Sequence, residues 1–353
     1  MSIAVNEISF NQLQPQTLAE CISITQQPDI FPITCQFNET SLKLSQQCQL
    51  INKKPIKATI PSIPDTSEIE LVLFSDVTFQ QLLNISQQCE LEITAITAIN
   101  HRNSLVSLRF SVLCTNIETS KAQLANIALT HKIEAALIKN APKLHQAGVL
   151  VMDMDSTTIE IECIDEIAAL AGVGEEVAAV TEQAMLGELD FAQSLHQRVS
   201  KLVGSHENIL AEVAKKIPLM NGLETLITEL KKYQWRIAIA SGGFTYFADH
   251  LKDLLLLDHA HANVLEIIDN KLTGKVLGDV VDAQAKADCL LSLQKQYQLP
   301  FQQTVAMGDG ANDLIMMNAA HFGVAFHAKP IVLKQADSAI NFSGLDCLIH
   351  WLA

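Results

Sequence analysis

The chain reads as an α/β protein: a parallel sheet core with a small helical cap, preceded by a smaller α+β module. Three observations predict this. All 14 glycines of the 353 residues lie at position 148 or later, while seven of the ten prolines lie before it. Beyond 148, short apolar runs end directly in polar residues, as the buried strands of a parallel sheet do. Between 68 and 140, strand-like and helix-like stretches follow in the order βαββα(β).

Composition bounds the function. An apolar fraction of 48% with mean hydropathy +0.20 can fill a sizeable core and excludes a disordered chain. A net charge of -15 and a pI near 5.1 argue against nucleic acid and against an anionic membrane surface as partners. No apolar run approaches the roughly 20 residues that span a bilayer. The first 16 residues lack the basic and apolar regions of a secretory leader. The eight cysteines (21, 35, 48, 89, 114, 163, 289, 347) are scattered, with no CxxC pair. Buried free thiols in a reducing compartment are the expectation, and with them a cytoplasmic location.

Glycine, which permits positive φ and close backbone approach, marks the later part as the place for chemistry. Charge divides the same way. Residues 1–147 carry 10 basic and 12 acidic groups, the remainder 14 and 27. A boundary is expected near 140–148, where Pro142 ends a helical stretch. The expected organisation is an extension over 1–65 with no clear pattern, an α+β module over 66–145 and an α/β domain over 146–353. Within the module, 68–74, 90–98 and 105–114 read as strands and 78–88 and 119–129 as helices; 132–138 fits a last strand or helix. That order is a ferredoxin-like split βαβ.

In the later part, 148–152, 235–240 and 304–307 are the strongest strands, and 323–326 and 338–341 weaker ones. Residues 163–217 interrupt the alternation with Ala- and Glu-rich helical sequence, a cap inserted after the first strand. The core is therefore Rossmann-like, with ligands expected beyond the carboxyl ends of its strands.

Four signals sit at or between those strand ends. The first strand runs into Asp153-Met154-Asp155-Ser156-Thr157, where two carboxylates at i and i+2 can share one cleft as nucleophile and acid/base. The second ends in Ser241-Gly242-Gly243, which offers a hydroxyl and backbone N–H groups to a phosphate oxygen. The third ends in Gly308-Asp309-Gly310-Ala311-Asn312-Asp313, whose hard oxygen ligands suit Mg²⁺. Lys286 lies on a helical stretch between the second and third strands. Each alone is more often a turn, a cap or a surface charge. Cys163 has no recognisable His partner pattern and reads as packing.

Taken in order on successive strand ends, the four resemble the motifs of the haloacid dehalogenase superfamily, and within it the phosphoserine phosphatases. The cap stretches Thr181-Glu182-Gln183-Ala184-Met185, Leu189-Asp190-Phe191 and Ser194-Leu195-His196-Gln197-Arg198-Val199 carry the likeness further, as do Glu162 and the late segment 325–330. The likeness covers about 148–353. The module over 66–145 resembles an ACT-type regulatory domain, which implies an amino-acid effector and a homodimer; a packing module without a ligand is the alternative.

The resemblance implies a Mg²⁺-dependent hydrolase that takes O-phospho-L-serine to L-serine through an aspartyl-phosphate, the last step of L-serine biosynthesis. It implies Asp153 as nucleophile and Asp155 as acid then base. It also implies a metal held by Asp153, the Asp155 main chain and Asp309. Ser241, Gly242, Lys286 and Asn312 would bind the phosphoryl group. Glu162 and Arg198 would pair with the ammonium and carboxylate of the substrate, and Met185 and Phe191 would close an apolar wall. A transferase passing the phosphoryl group to homoserine keeps every motif, and a phosphatase for another small phosphorylated compound keeps most of them. A non-catalytic amino-acid sensor would leave Asp153, Asp155, Lys286 and Asp309 without a task.

Overall fold

In the computed structural model, described over residues 4–9, 16–18, 20, 33–37, 41–46, 68–74 and 76–353, the chain separates into two compact units. One comprises Met1–Ala141 with Asn341–Ser343, the other Pro142–Ile340 with Gly344–Ala353.

The first unit is built on an antiparallel sheet of β1 (Ala4–Ser9), β2 (Ile33–Phe37), β3 (Ser41–Gln46), β4 (Ile69–Phe74), β5 (Glu92–Arg102), β6 (Leu105–Leu113) and β7 (Ala135–Lys139). Their order is β1-β3-β2-β5-β6-β4-β7. The split βαβ is β4, helix Phe79–Gln88, β5, β6, helix Ile117–His131 and β7, so the stretch at 132–138 resolves as a strand. Residues 1–65, where no organised pattern was expected, contribute β1, β2 and β3 to the same sheet; the other residues of that stretch lie, with few exceptions, outside the described ones.

Local chemistry sets these elements. Thr78 and Gln81 form a reciprocal capping box at the first helix, and the Asn116 side chain accepts from Glu118 and Thr119 N–H at the second. Asn103 and Ser104 both adopt positive φ (49° and 61°) and give β5 and β6 the two-residue turn whose twist suits a hairpin. One face of the sheet packs its Leu, Ile, Val and Phe side chains, such as Leu71, Leu73 and Phe110, with Phe79, Leu82 and Leu124 of the helices.

The second unit carries β8 (Val149–Met152), β9 (Arg236–Phe244), β10 (His259–Ile268), β11 (Lys271–Leu277), β12 (Thr304–Gly308), β13 (Phe322–Phe326) and β14 (Ser338–Ile340). The order is β11-β10-β9-β8-β12-β13-β14, parallel throughout except for the β10–β11 hairpin. This is the Rossmann-like core the sequence predicts, with the hairpin added at its edge. All four residues of β8 are fully buried, which explains why that strand is an unbroken apolar run. Between β8 and β9 lie the helices Cys163–Ala171, Gly174–Met185, Phe191–Ser200 and Asn208–Ala214, the predicted helical insertion, followed by Leu223–Lys232.

Among the described residues no helix is long and apolar enough to cross a membrane. Cys89, Cys163, Cys289 and Cys347 are free and buried, and Cys114 is free and half-buried. Cys21, Cys48 and the Cys35 side chain lie outside the described residues.

Candidate active site

Sheet order determines which loops meet. β8 lies between β9 and β12, so the segments leaving the carboxyl ends of these three neighbours converge. They bring Asp153, Ser241 and Asp309 to one place.

Asp153 follows β8 directly and stays in register through its N–H bond to the Met307 carbonyl, 3.0 Å. The chain then turns sharply. Ser156 takes φ +57°, and three amides, of Thr157, Thr158 and Ile159, all donate to the Met154 carbonyl. The Thr158 hydroxyl donates to the Asp153 carbonyl. The turn carries both carboxylates into a cavity of about 470 Å³.

That cavity is lined by Asp153, Asp155, Glu162, Phe191, Arg198, Ser241, Gly242, Asp309 and Asn312, so nine of the eleven candidate residues share it. Lys286 is the tenth. It lies 1% exposed at the charged floor of the cavity, with Nζ 2.9 Å from Asp153 Oδ1 and 2.7 Å from Asp313 Oδ1. The eleventh, Met185, ends the helix Gly174–Met185, and its side chain lies outside the described residues. Residues the sequence reading left without a role also line the cavity, among them Asp165, Thr181 and Lys329.

Asp313 holds the floor together. Its Oδ2 accepts from Gly310 N–H at 3.0 Å, and a Cβ at Gly308 would lie 2.3 Å from its Cγ, so that position tolerates only glycine. Both Asp313 oxygens are thus engaged. Lys286 and Met154 N–H take Asp153 Oδ1 and leave its other oxygen open, and the Thr157 hydroxyl takes Asp309 Oδ1. Carboxylate oxygens of Asp153, Asp309 and Asp313 lie within 4.8 Å of one another, close enough to hold a metal ion. Three hard oxygen donors suit a divalent cation such as Mg²⁺ or Mn²⁺ better than a soft metal.

The electrostatics separate the groups by role. Burial, then Glu162, then Asp153 push the Asp155 carboxyl up to about 8, so it holds a proton at neutral pH. Burial works against a charged Lys286, but Asp153 and Asp313 overcome it and hold the ammonium above its usual range. Burial and Asp153 raise Asp309. Cys163 is pushed far up by burial and by Asp155, which is the wrong direction for a nucleophilic thiolate.

At the cap side, Glu162 Oε1 accepts from the Ser156 hydroxyl at 2.9 Å, and burial raises its carboxyl. Arg198 Nε is buried with no hydrogen-bond partner, and burial lowers the guanidinium. The Phe191 ring lies so close to Gly242 that a Cβ there would stand 2.5 Å from Cζ. The arrangement offers a nucleophile next to a fixed cation, a protonated acid, and an acid–base pair on the cap side of the same space.

The comparisons with known proteins agree with this geometry. The haloacid dehalogenase-like hydrolase family matches residues 148–321. A phosphoserine phosphatase of Haemophilus influenzae is 59% identical over 229 residues, 64% of this chain and 73% of that one. One of Vibrio cholerae is 58% identical over 214 residues, 61% of this chain, and the match spans 65% of that protein's length. The unliganded crystal structure of a probable phosphoserine phosphatase from Vibrio cholerae superposes with a TM-score of 0.68 at 45% identity, covering 82% of this chain and 88% of that one.

Proposed function

The chain belongs to the phosphoserine phosphatases of the haloacid dehalogenase-like hydrolases, and from that membership we propose that it hydrolyses O-phospho-L-serine to L-serine and phosphate with Mg²⁺ as cofactor. The observation that carries the proposal is the shared cavity. Asp153 and Asp155 line it together with Glu162 and Arg198, whose Nε is desolvated and unpaired. A buried guanidinium N–H without a partner is costly, and a substrate carboxylate supplies that partner.

The chemistry proceeds in two displacements. An Asp153 oxygen attacks phosphorus in line, forming the carboxylate–phosphorus bond as the bond to the serine oxygen breaks. Asp155 gives its proton to that departing oxygen, which its raised carboxyl is prepared to do. Asp155, now a carboxylate, takes a proton from water as the water attacks phosphorus. Asp153 leaves as the free carboxylate and phosphate is released. A bound Mg²⁺, held by Asp153, Asp309 and the Asp155 main chain, would screen the repulsion between the anionic nucleophile and the anionic phosphoryl group. Lys286 aims the Asp153 carboxylate, and with Ser241, Gly242 and Asn312 it balances the charge on the phosphoryl oxygens. Glu162 takes the substrate ammonium and Arg198 its carboxylate. Phe191 forms an apolar wall that excludes bulk water.

The split βαβ of the first unit supports reading residues 66–145 as an ACT-like module that binds an amino-acid effector or pairs two chains as a homodimer, in a cytoplasmic enzyme. Size-exclusion chromatography with light scattering, with and without L-serine, tests this; a monomer indifferent to serine would refute it.

The direct test of the activity is phosphate release from O-phospho-L-serine with and without Mg²⁺, with Asp153→Asn as the blank. Metal-dependent release that disappears in the variant is expected. Release equal in the variant, or from other phosphate esters but not phosphoserine, would overturn the proposal.

A further inference from the structure

β9 does not run evenly through the Ser241-Gly242-Gly243 turn. Its register against β10 pairs Ala240 with His261 and next Phe244 with Asn263, so β9 advances four residues while β10 advances two. Such an irregularity leaves backbone groups of the longer strand without their ladder partners. Asn263, 1% exposed, fills that gap with its side chain. Its Nδ2 donates to the Gly242 carbonyl at 2.8 Å, and its Oδ1 accepts from the Val281 N–H at 2.8 Å. Only one orientation of the amide satisfies a carbonyl on one side and an N–H on the other.

The other end of the same peptide is held as well. The Gly243 N–H donates to Ser241 Oγ at 2.9 Å. That bond occupies a lone pair of the hydroxyl and leaves its proton to be given elsewhere, in a side chain that lines the cavity. Without Asn263 the Gly242 carbonyl loses this donor, and rotation of the peptide would remove the Gly243 N–H from Ser241. Val281 lies in the segment that leads to the Asp282 cap of the helix bearing Lys286, so one side chain ties together the approaches to two phosphoryl-binding groups.

We propose that Asn263 is a positioning residue for phosphoryl transfer: it fixes the Gly242–Gly243 peptide so that Ser241 directs its O–H at the phosphoryl group. The proposal deepens the phosphatase reading and rests on it. Asn263→Asp separates positioning from mere support. The carboxylate still accepts from Val281 N–H, but it faces the Gly242 carbonyl with an acceptor instead of a donor.

The experiment measures kcat and KM for Asn263→Asp and Asn263→Ala, each alone and combined with Ser241→Ala, together with product inhibition by L-serine. Thermal unfolding identifies a variant that does not fold, and the alanine variant serves if the aspartate fails. In the presence of Ser241, kcat is expected to fall about 10- to 100-fold, below or at the cost of losing one donor to a developing anion. Serine inhibition is expected to stay unchanged, because Glu162 and Arg198 are untouched. In the Ser241→Ala background the second substitution should add less than about threefold, since the two residues act as a unit. Unchanged kcat in folded Asn263→Asp, or a loss that multiplies fully with that of Ser241→Ala, would overturn the assignment. If the wild type turns over para-nitrophenyl phosphate but not phosphoserine, the substrate reading fails and the Asn263 cycle is read with the aryl ester.

Discussion

Each unit of the molecule buries an arginine or lysine against carboxylates, and the two burials differ in what they leave open. In the first unit Arg109 crosses from β6 to Glu70 on β4, with Nη2 and Nε at 2.7 and 3.1 Å from Glu70 Oε2. The Thr97 hydroxyl takes the other Glu70 oxygen at 2.9 Å. Both carboxylate oxygens are used and the set is closed. In the second unit Lys286 serves two carboxylates, and one of them, Asp153, keeps an oxygen turned to a cavity. Burial of charge is therefore not what marks a site. A charge held in place with unused bonding capacity facing solvent is what marks it.

The sharpest way to break that contrast is to remove both cations. Lys286→Met leaves Asp153 and Asp313 facing each other without a counter-charge, and kcat should fall by about 10³-fold or more, the upper range for a lost electrostatic partner. Retention of kcat within an order of magnitude would show that the lysine is merely structural. Asp155→Asn should lower kcat on phosphoserine by about 10²- to 10⁴-fold, the range for general acid–base catalysis. A para-nitrophenyl ester, whose leaving group needs no proton, should lose less in the first displacement, and a pre-steady-state burst measures this.

Arg198→Lys keeps the charge and loses the fork. KM for phosphoserine should rise about 10- to 100-fold, corresponding to roughly 1.5–3 kcal/mol of a charge-assisted hydrogen bond, while the aryl phosphate is unaffected. An equal rise for both substrates would place Arg198 outside serine recognition. The smallest catalytic effect belongs to the first unit. Arg109→Met should lower stability by about 1–3 kcal/mol in urea unfolding, the cost of an unpaired buried partner, and leave kcat as it was. A large loss of kcat there would erase the distinction between the closed and the open ion pair.

The sequence carried the second unit further than the first because its signals are local. β8, β9 and β12 are wholly buried over most of their length, so they appear as apolar runs, and their functional groups follow within a few residues. The hairpin β10–β11 escaped notice because its residues alternate irregularly between buried and exposed, which follows from its place at the sheet edge. Asn263 escaped for another reason. Its partners are 21 and 18 residues away, and nothing in His-Ala-His-Ala-Asn-Val announces a clamp. Lys286 was found only in company with the other motifs, since its burial depends on Asp153 and on Asp313, 27 residues distant. In the first unit the two helices and the strands β4, β5 and β6 were readable, whereas β1–β3 are only five or six residues long, and β1 and β2 join the sheet through partners distant in sequence, β1 on β3 and β2 on β5.

The account turns on Asp153 as the atom that takes the phosphoryl group. Asp155→Asn enzyme mixed with O-phospho-L-serine and Mg²⁺, quenched in acid and digested, tests this by peptide mass spectrometry. One hydroxylamine-sensitive phosphoryl group on the peptide containing Asp153 is the predicted result. Slow turnover with that peptide unmodified, or with the phosphoryl group on another residue, would contradict it.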